Sequence, residues 1–114
     1  MRIHHVALRT ADLPRLEAFY VGVLGLTVSR RDGTRSTWLA AGDSIVMLER
    51  AAEGEPPVAE GTMEMVAFGI AKEERAEYMH RLRTAGIAVD GETGFTVYVR
   101  DPDGRRVGLS HYPE

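Results

Sequence analysis

The sequence predicts an α+β fold built from two tandem βαβββ units. Three observations carry that prediction. The same order of elements occurs twice along 114 residues, at an offset of about 60 residues that barely changes from the first strand to the last. Each predicted helix ends at a glycine, Gly25 in the first copy and Gly86 in the second. Short strand-like runs after each helix are separated by Asp32-Gly33, Gly42-Asp43 and Asp101-Pro102-Asp103-Gly104, all of which are turn signals.

In the first copy, Ile3–Arg9 alternates and is rich in β-branched residues, as a strand requires. Asp12 caps a helix in which Leu13, Leu16, Phe19, Tyr20, Val23 and Leu24 share one face. Pro14 falls in its first turn, where a missing N–H costs little. Strands are expected at Leu26–Arg31, Arg35–Ala41 and Ser44–Glu49. Residues 50–62 are acidic, hold Pro56-Pro57 and show no period, so they read as a linker. The second copy follows with a strand at Glu64–Ala71 and a helix at Glu73–Ala85 that buries Ala76, Met79 and Leu82. Further strands are expected at Ile87–Asp90, Phe95–Arg100 and Arg106–Tyr112. The units are therefore 1–49 and 63–114 of a single domain.

Composition removes several function classes. There is no cysteine, which excludes disulfides, thiolate zinc sites and cysteine nucleophiles. A net charge of −3 argues against nucleic acid as a partner. No apolar run approaches the roughly 18 residues of a membrane span, and no signal-peptide core follows Met1. A cytoplasmic protein is expected, and the near-exclusive use of arginine over lysine suits a bacterial source. Gly22 and Gly25 flank a helix end instead of preceding one, so no phosphate-cradling loop is present, and there is no GxSxG elbow.

One helix covers one face of a four-stranded sheet and leaves the other open. Alternation puts Val6, Leu8, Val46 and Leu48 toward the first helix, and Val66, Phe68, Val107 and Leu109 toward the second. The open faces then carry Ile3, His5, Ala7, Ile45, Met47 and Glu49 in one copy. In the other they carry Met63, Met65, Ala67, Gly69, Gly108, Ser110 and Tyr112. Alternation alone places neither Trp38 nor Tyr98. His111 falls on the helix side of its strand near the end, where exposure is the simpler expectation. Brought together, two such faces enclose a cavity for a small molecule, lined by His5, Met47, Glu49, Met65, Ala67, Gly108, Ser110 and Tyr112. Thioethers adapt to irregular apolar shapes, and the few polar groups would orient the ligand.

The stretches HHVALRTADLPRLEAFYVGVLGL, MVAFGI and VYVRDPDGRRVGL resemble the vicinal oxygen chelate superfamily of glyoxalases, bleomycin-resistance proteins and extradiol dioxygenases. The resemblance implies curved mixed sheets enclosing a cavity, and it favours a homodimer. It also implies four metal-ligand positions, which fall on His5, Met47, Met65 and Gly108. Only His5 is a hard donor, so no metal and no other cofactor is expected. The expected function is binding of a small organic molecule. The alternative is a divalent-metal-dependent lyase or dioxygenase using His5 and Glu49, or a metal-free enzyme with Glu49 as base and His5 as acid or orienting group.

Overall fold

A computed structural model describes all 114 residues. The chain forms two compact units, Met1–Pro57 and Val58–Glu114, each holding a four-stranded mixed sheet and a helix. Neither sheet is closed.

In the first unit, β1 (His5–Thr10) pairs in parallel with β4 (Ser44–Arg50), and β4 pairs antiparallel with β3 (Ser36–Ala41). The edge strand β2 (Thr27–Asp32) completes the order β1-β4-β3-β2, with an irregularity between Val28 and Arg30. The helix α1 (Leu13–Glu17) starts at Asp12, whose carboxylate accepts the Arg15 N–H at 3.1 Å. It continues as a wider π-helical turn over Ala18–Val23, because the Leu24 N–H reaches back five residues to the Phe19 carbonyl at 2.9 Å. The wider turn still buries Leu16, Phe19, Tyr20 and Leu24 against Leu8, Leu39, Val46 and Leu48. Gly25 then takes a left-handed φ of 79° and ends the helix, as its position in the sequence predicts.

The second unit repeats the arrangement as β5-β8-β7-β6. β5 (Met65–Gly69) runs parallel to β8 (Arg106–Ser110), and β7 (Thr96–Arg100) lies antiparallel between β8 and β6 (Gly91–Glu92). A 3₁₀ turn at Lys72–Glu74 leads into α2 (Arg75–Thr84), and Gly86 ends it with φ 73°. Val97, Val99, Val107, Leu109 and Leu82 form the buried core.

Several boundaries differ from the sequence expectation. Ile87–Asp90 is not a strand: the Ile87 N–H is spent on the helix end, donating to the Leu82 carbonyl at 2.9 Å, and β6 begins at Gly91. Ala76 is exposed, so α2 buries Leu82 fully and Met79 only in part. Ile3 precedes β1, and β8 stops at Ser110. His111 is buried, not exposed. Its Nε2 lies 3.2 Å from an Arg75 guanidinium nitrogen and its ring packs on Phe95. A guanidinium only donates, so Nε2 is the acceptor in this contact. No helix is long and apolar enough to cross a membrane.

Candidate ligand-binding faces

Strand register turns the uncovered face of the first sheet into three rows. The central row is Ala7, Met47, Trp38 and Arg30, one residue from each of β1, β4, β3 and β2. On one side lie His5, Ile45, Ala40 and Thr27, and on the other Arg9, Glu49, Ser36 and Asp32. Residues on either side of these in each strand point to α1, and Leu8, Leu39, Val46 and Leu48 are buried there. Trp38 therefore belongs to the open face. Its ring stacks on His5, with centroids 6.3 Å apart and planes inclined by 28°, and the Arg30 guanidinium stands 5.6 Å from its centre. His4 and His5 touch through their Nδ1 atoms at 2.9 Å, so one of the two rings donates and the other accepts.

Glu49 occupies the third row. It pairs with Arg9 at 3.7 Å, and Arg9 also grips both oxygens of Glu55 at 2.6 and 3.1 Å. The Arg9 hydrogen bond, helped by the Ala52 N–H, lowers the Glu55 carboxyl to a pKa of about 2. His5 is opposite Ile45, four positions before Glu49 on parallel strands. At roughly 3.3 Å per residue, the two backbones are offset by about 13 Å. Side chains so spaced, with Glu49 already held by Arg9, do not converge on one ion.

The second sheet repeats the pattern. Ala67, Gly108, Tyr98 and Gly91 make its central row, with Met65, Arg106 and Arg100 on one side and Gly69, Ser110 and Thr96 on the other. Tyr98 thus stands where Trp38 stands in the first sheet, beside the residue that follows the same register as Met47. It too lies beneath an arginine, with Arg106 4.0 Å from the ring centre. Here the arginine is occupied, because Asp90 bridges Arg106 and Arg100 at 3.2 Å each. Ser110 and Thr96 share a 2.8 Å hydrogen bond. Met65 is 44% exposed, as an open-face residue should be. Tyr112 is not brought to this row: it lies beyond β8, is 73% exposed, and packs edge-on against Phe95.

Metal binding can be tested on these donors. Neither unit brings three His, Asp or Glu side chains together in a group that could hold a metal ion. Met47 and Met65 offer neutral thioethers. Gly108 has no side chain and little room for one, since a Cβ there would meet the Ala67 Cβ at 3.3 Å and Thr96 at 3.4 Å. The donor set does not fit a hard divalent cation.

Trp38, Arg30, Arg9, Tyr98 and Glu55 are the contacts that residue alternation missed. The turn did hold the clue for Trp38. Counting outward from Gly42-Asp43, with Ala41 opposite Ser44, pairs Trp38 with Met47.

Two βαβββ units, each a four-stranded mixed sheet with one face covered by a helix and the other open, have the architecture of the glyoxalase-type class of α+β proteins. The profile of the Glyoxalase/Bleomycin resistance protein/Dioxygenase superfamily matches residues 2–109, and the chain belongs to that superfamily. Among curated proteins it is 31% identical over 112 residues to a glutathione transferase FosA of Serratia marcescens, covering 94% of this chain and 78% of the relative. Among solved structures it resembles the fosfomycin resistance protein FosX of Mesorhizobium loti, with TM-score 0.81 and 20% identity over 96% of this chain and 90% of that one. It also resembles a glyoxalase I of Leishmania major described as trypanothione-dependent, with TM-score 0.78 and 26% identity over 96% and 86% of the two chains.

Proposed function

We propose that this protein binds a small organic molecule on the open sheet faces without a catalytic metal. The observation that carries the reading is the donor set. Of the four positions that the family resemblance assigns to metal ligands, only His5 keeps a hard donor, while its surroundings (Trp38, Met47, Ala7 and Ile45) make an apolar surface. Such a lining with few polar groups favours a compact aromatic or amphipathic ligand. Met65, Ala67, Gly108 and Ser110 supply the corresponding surface in the second unit. We place the protein in the cytoplasm as a homodimer of single-domain chains, with the linker 50–62 joining its units. Each unit leaves a sheet face uncovered, which a second copy can help to bury, and light scattering at micromolar concentration would expose a monomer.

Catalysis is the second reading, favoured by the 31% identity to a relative named as a transferase. In it Glu49 acts as base and His5 as acid or orienting group, with or without a divalent metal. The four-residue offset between them and the Arg9 bridge weigh against joint action on one bond. The test is calorimetric titration of EDTA-treated protein with a panel of small aromatic and amphipathic molecules. Saturable binding that is undiminished by EDTA and lost in Ala7→Phe, which lays a ring across the central row, supports the first reading. Binding that appears only when a divalent metal is added supports the second.

A further inference from the structure

We propose that the open face of the first unit selects planar aromatic anions, with the ring packed against Trp38 and His5 and the negative group received by Arg30. This rests on the binding reading above and narrows it to a ligand class.

The case begins with which arginines are already used. Arg9 is held by Glu49 and Glu55, Arg31 by Glu17, and Arg35 by Asp32. Arg30, between them on β2, has no carboxylate and no hydrogen-bond partner; its one contact is the face of Trp38. Asp32, two residues along on the same face, is occupied by Arg35. A guanidinium leaning on a ring keeps its in-plane N–H fork free, and that fork matches the two oxygens of a carboxylate.

The second unit also holds an arginine over its central aromatic ring, with an anion already in place. There Arg106, which stands on β8 at the place of Ile45 and not at the register of Arg30, lies over Tyr98, and its guanidinium receives a carboxylate from the chain itself, Asp90, at 3.2 Å. The site is also closed in by the backbone, since a Cβ at Gly91 would meet an Arg106 guanidinium nitrogen at 3.3 Å. The first unit repeats the arginine and the aromatic ring but supplies no acid to them. An external anion takes the place of Asp90.

The ring preference comes from the remaining neighbours. His5 extends the aromatic surface beyond Trp38, and Met47 and Ala7 continue the row with a polarizable thioether and a methyl group. A saturated acid would satisfy Arg30 but forgo the stacking. A neutral ring would stack but leave the guanidinium without its anion.

Trp38 is the only tryptophan, so its emission reads the site directly. The probes are 4-nitrobenzoate, its neutral counterpart 4-nitrobenzamide, and cyclohexanecarboxylate as a competitor without a ring. The expected result is saturable quenching by 4-nitrobenzoate at about tenfold lower concentration than by the amide, with cyclohexanecarboxylate competing at least about tenfold more weakly. Arg30→Gln, a change at an exposed residue, should weaken 4-nitrobenzoate about tenfold and leave the amide within about twofold. Equal affinity for acid and amide, or an acid affinity unmoved by Arg30→Gln, overturns the anion preference while leaving small-molecule binding on this face intact. Competition by cyclohexanecarboxylate as strong as by 4-nitrobenzoate overturns the aromatic part. If both nitro compounds quench only linearly, with no saturation, this proposal fails. The broader binding reading is then decided separately by calorimetry on the full panel.

Discussion

Arg9 and Glu55 show how a single residue pair ties a segment without secondary structure to a strand. Arg9 belongs to β1, and Glu55 belongs to the stretch after β4 that carries no hydrophobic period. Yet Glu55 accepts from Arg9 twice and from the Ala52 N–H at 3.1 Å, while the Ala51 N–H donates to the Thr10 carbonyl at 2.7 Å. Its carboxyl is lowered from 4.5 to about 2, first by the Arg9 hydrogen bond and then by the Ala52 N–H. A depressed pKa means that the contact stabilises the folded form fully above the ordinary carboxyl value and is lost as pH falls toward the depressed one. Residues 51–55 should therefore loosen between pH 4.5 and about 2. Protection of the Ala52 amide in hydrogen exchange, corrected for intrinsic rate, should fall across that window, and Glu55→Gln should lower it already at neutral pH. Protection that is flat with pH and unchanged in the variant would contradict the assignment. Composition made this segment look like a bare linker because a two-residue ion pair leaves no periodic trace in sequence.

At the scale of the element, the β7–β8 turn was legible from Asp101-Pro102-Asp103-Gly104. The Gly104 N–H donates to the Asp101 carbonyl at 2.9 Å, closing it. Less legible was the burial of the Asp101 side chain. It accepts the N–H groups of Asp103 and Arg105 at 2.9 and 3.1 Å and pairs with the Arg105 guanidinium at 2.8 Å. Asp101→Ala would leave those two N–H groups without their acceptor and the mostly buried Arg105 guanidinium with Asp103 at 3.6 Å in place of its closer partner, so it should cost about 3 kcal/mol. Asp101→Asn keeps an acceptor and should cost less. Urea unfolding midpoints check both, and an alanine variant as stable as wild type would show that the turn holds without this carboxylate. The same scale explains what alignment of apolar residues could and could not give. Leu8, Val107 and Leu109 fell on the helix side because each alternates cleanly with smaller or polar neighbours. Trp38 stands between Thr37 and Leu39, and Tyr98 between Val97 and Val99, so hydropathy cannot separate their two faces. Only strand register does. Ile87-Ala88-Val89 misled in the opposite sense, being strand-like in composition while serving as the exit from α2.

At the scale of the whole molecule, the repeat was the strongest signal in the sequence, and it holds through topology, register and glycine-ended helices. What the two copies do not share defines the chain. His5 has Met65 as its counterpart, Met47 has Gly108, and free Arg30 has Gly91, while Arg106, bound to Asp90, stands at the place of Ile45. Superfamily membership fixes the scaffold and leaves the chemistry to those positions. In the function proposed above, these positions bind a small molecule without a metal. Elemental analysis of the purified protein tests it, paired with its melting in the presence of added divalent ions. The wild-type protein should hold no stoichiometric nickel, zinc, iron or manganese, and its melting should not shift when these ions are added. One equivalent of such a metal per chain, retained through purification, would contradict it.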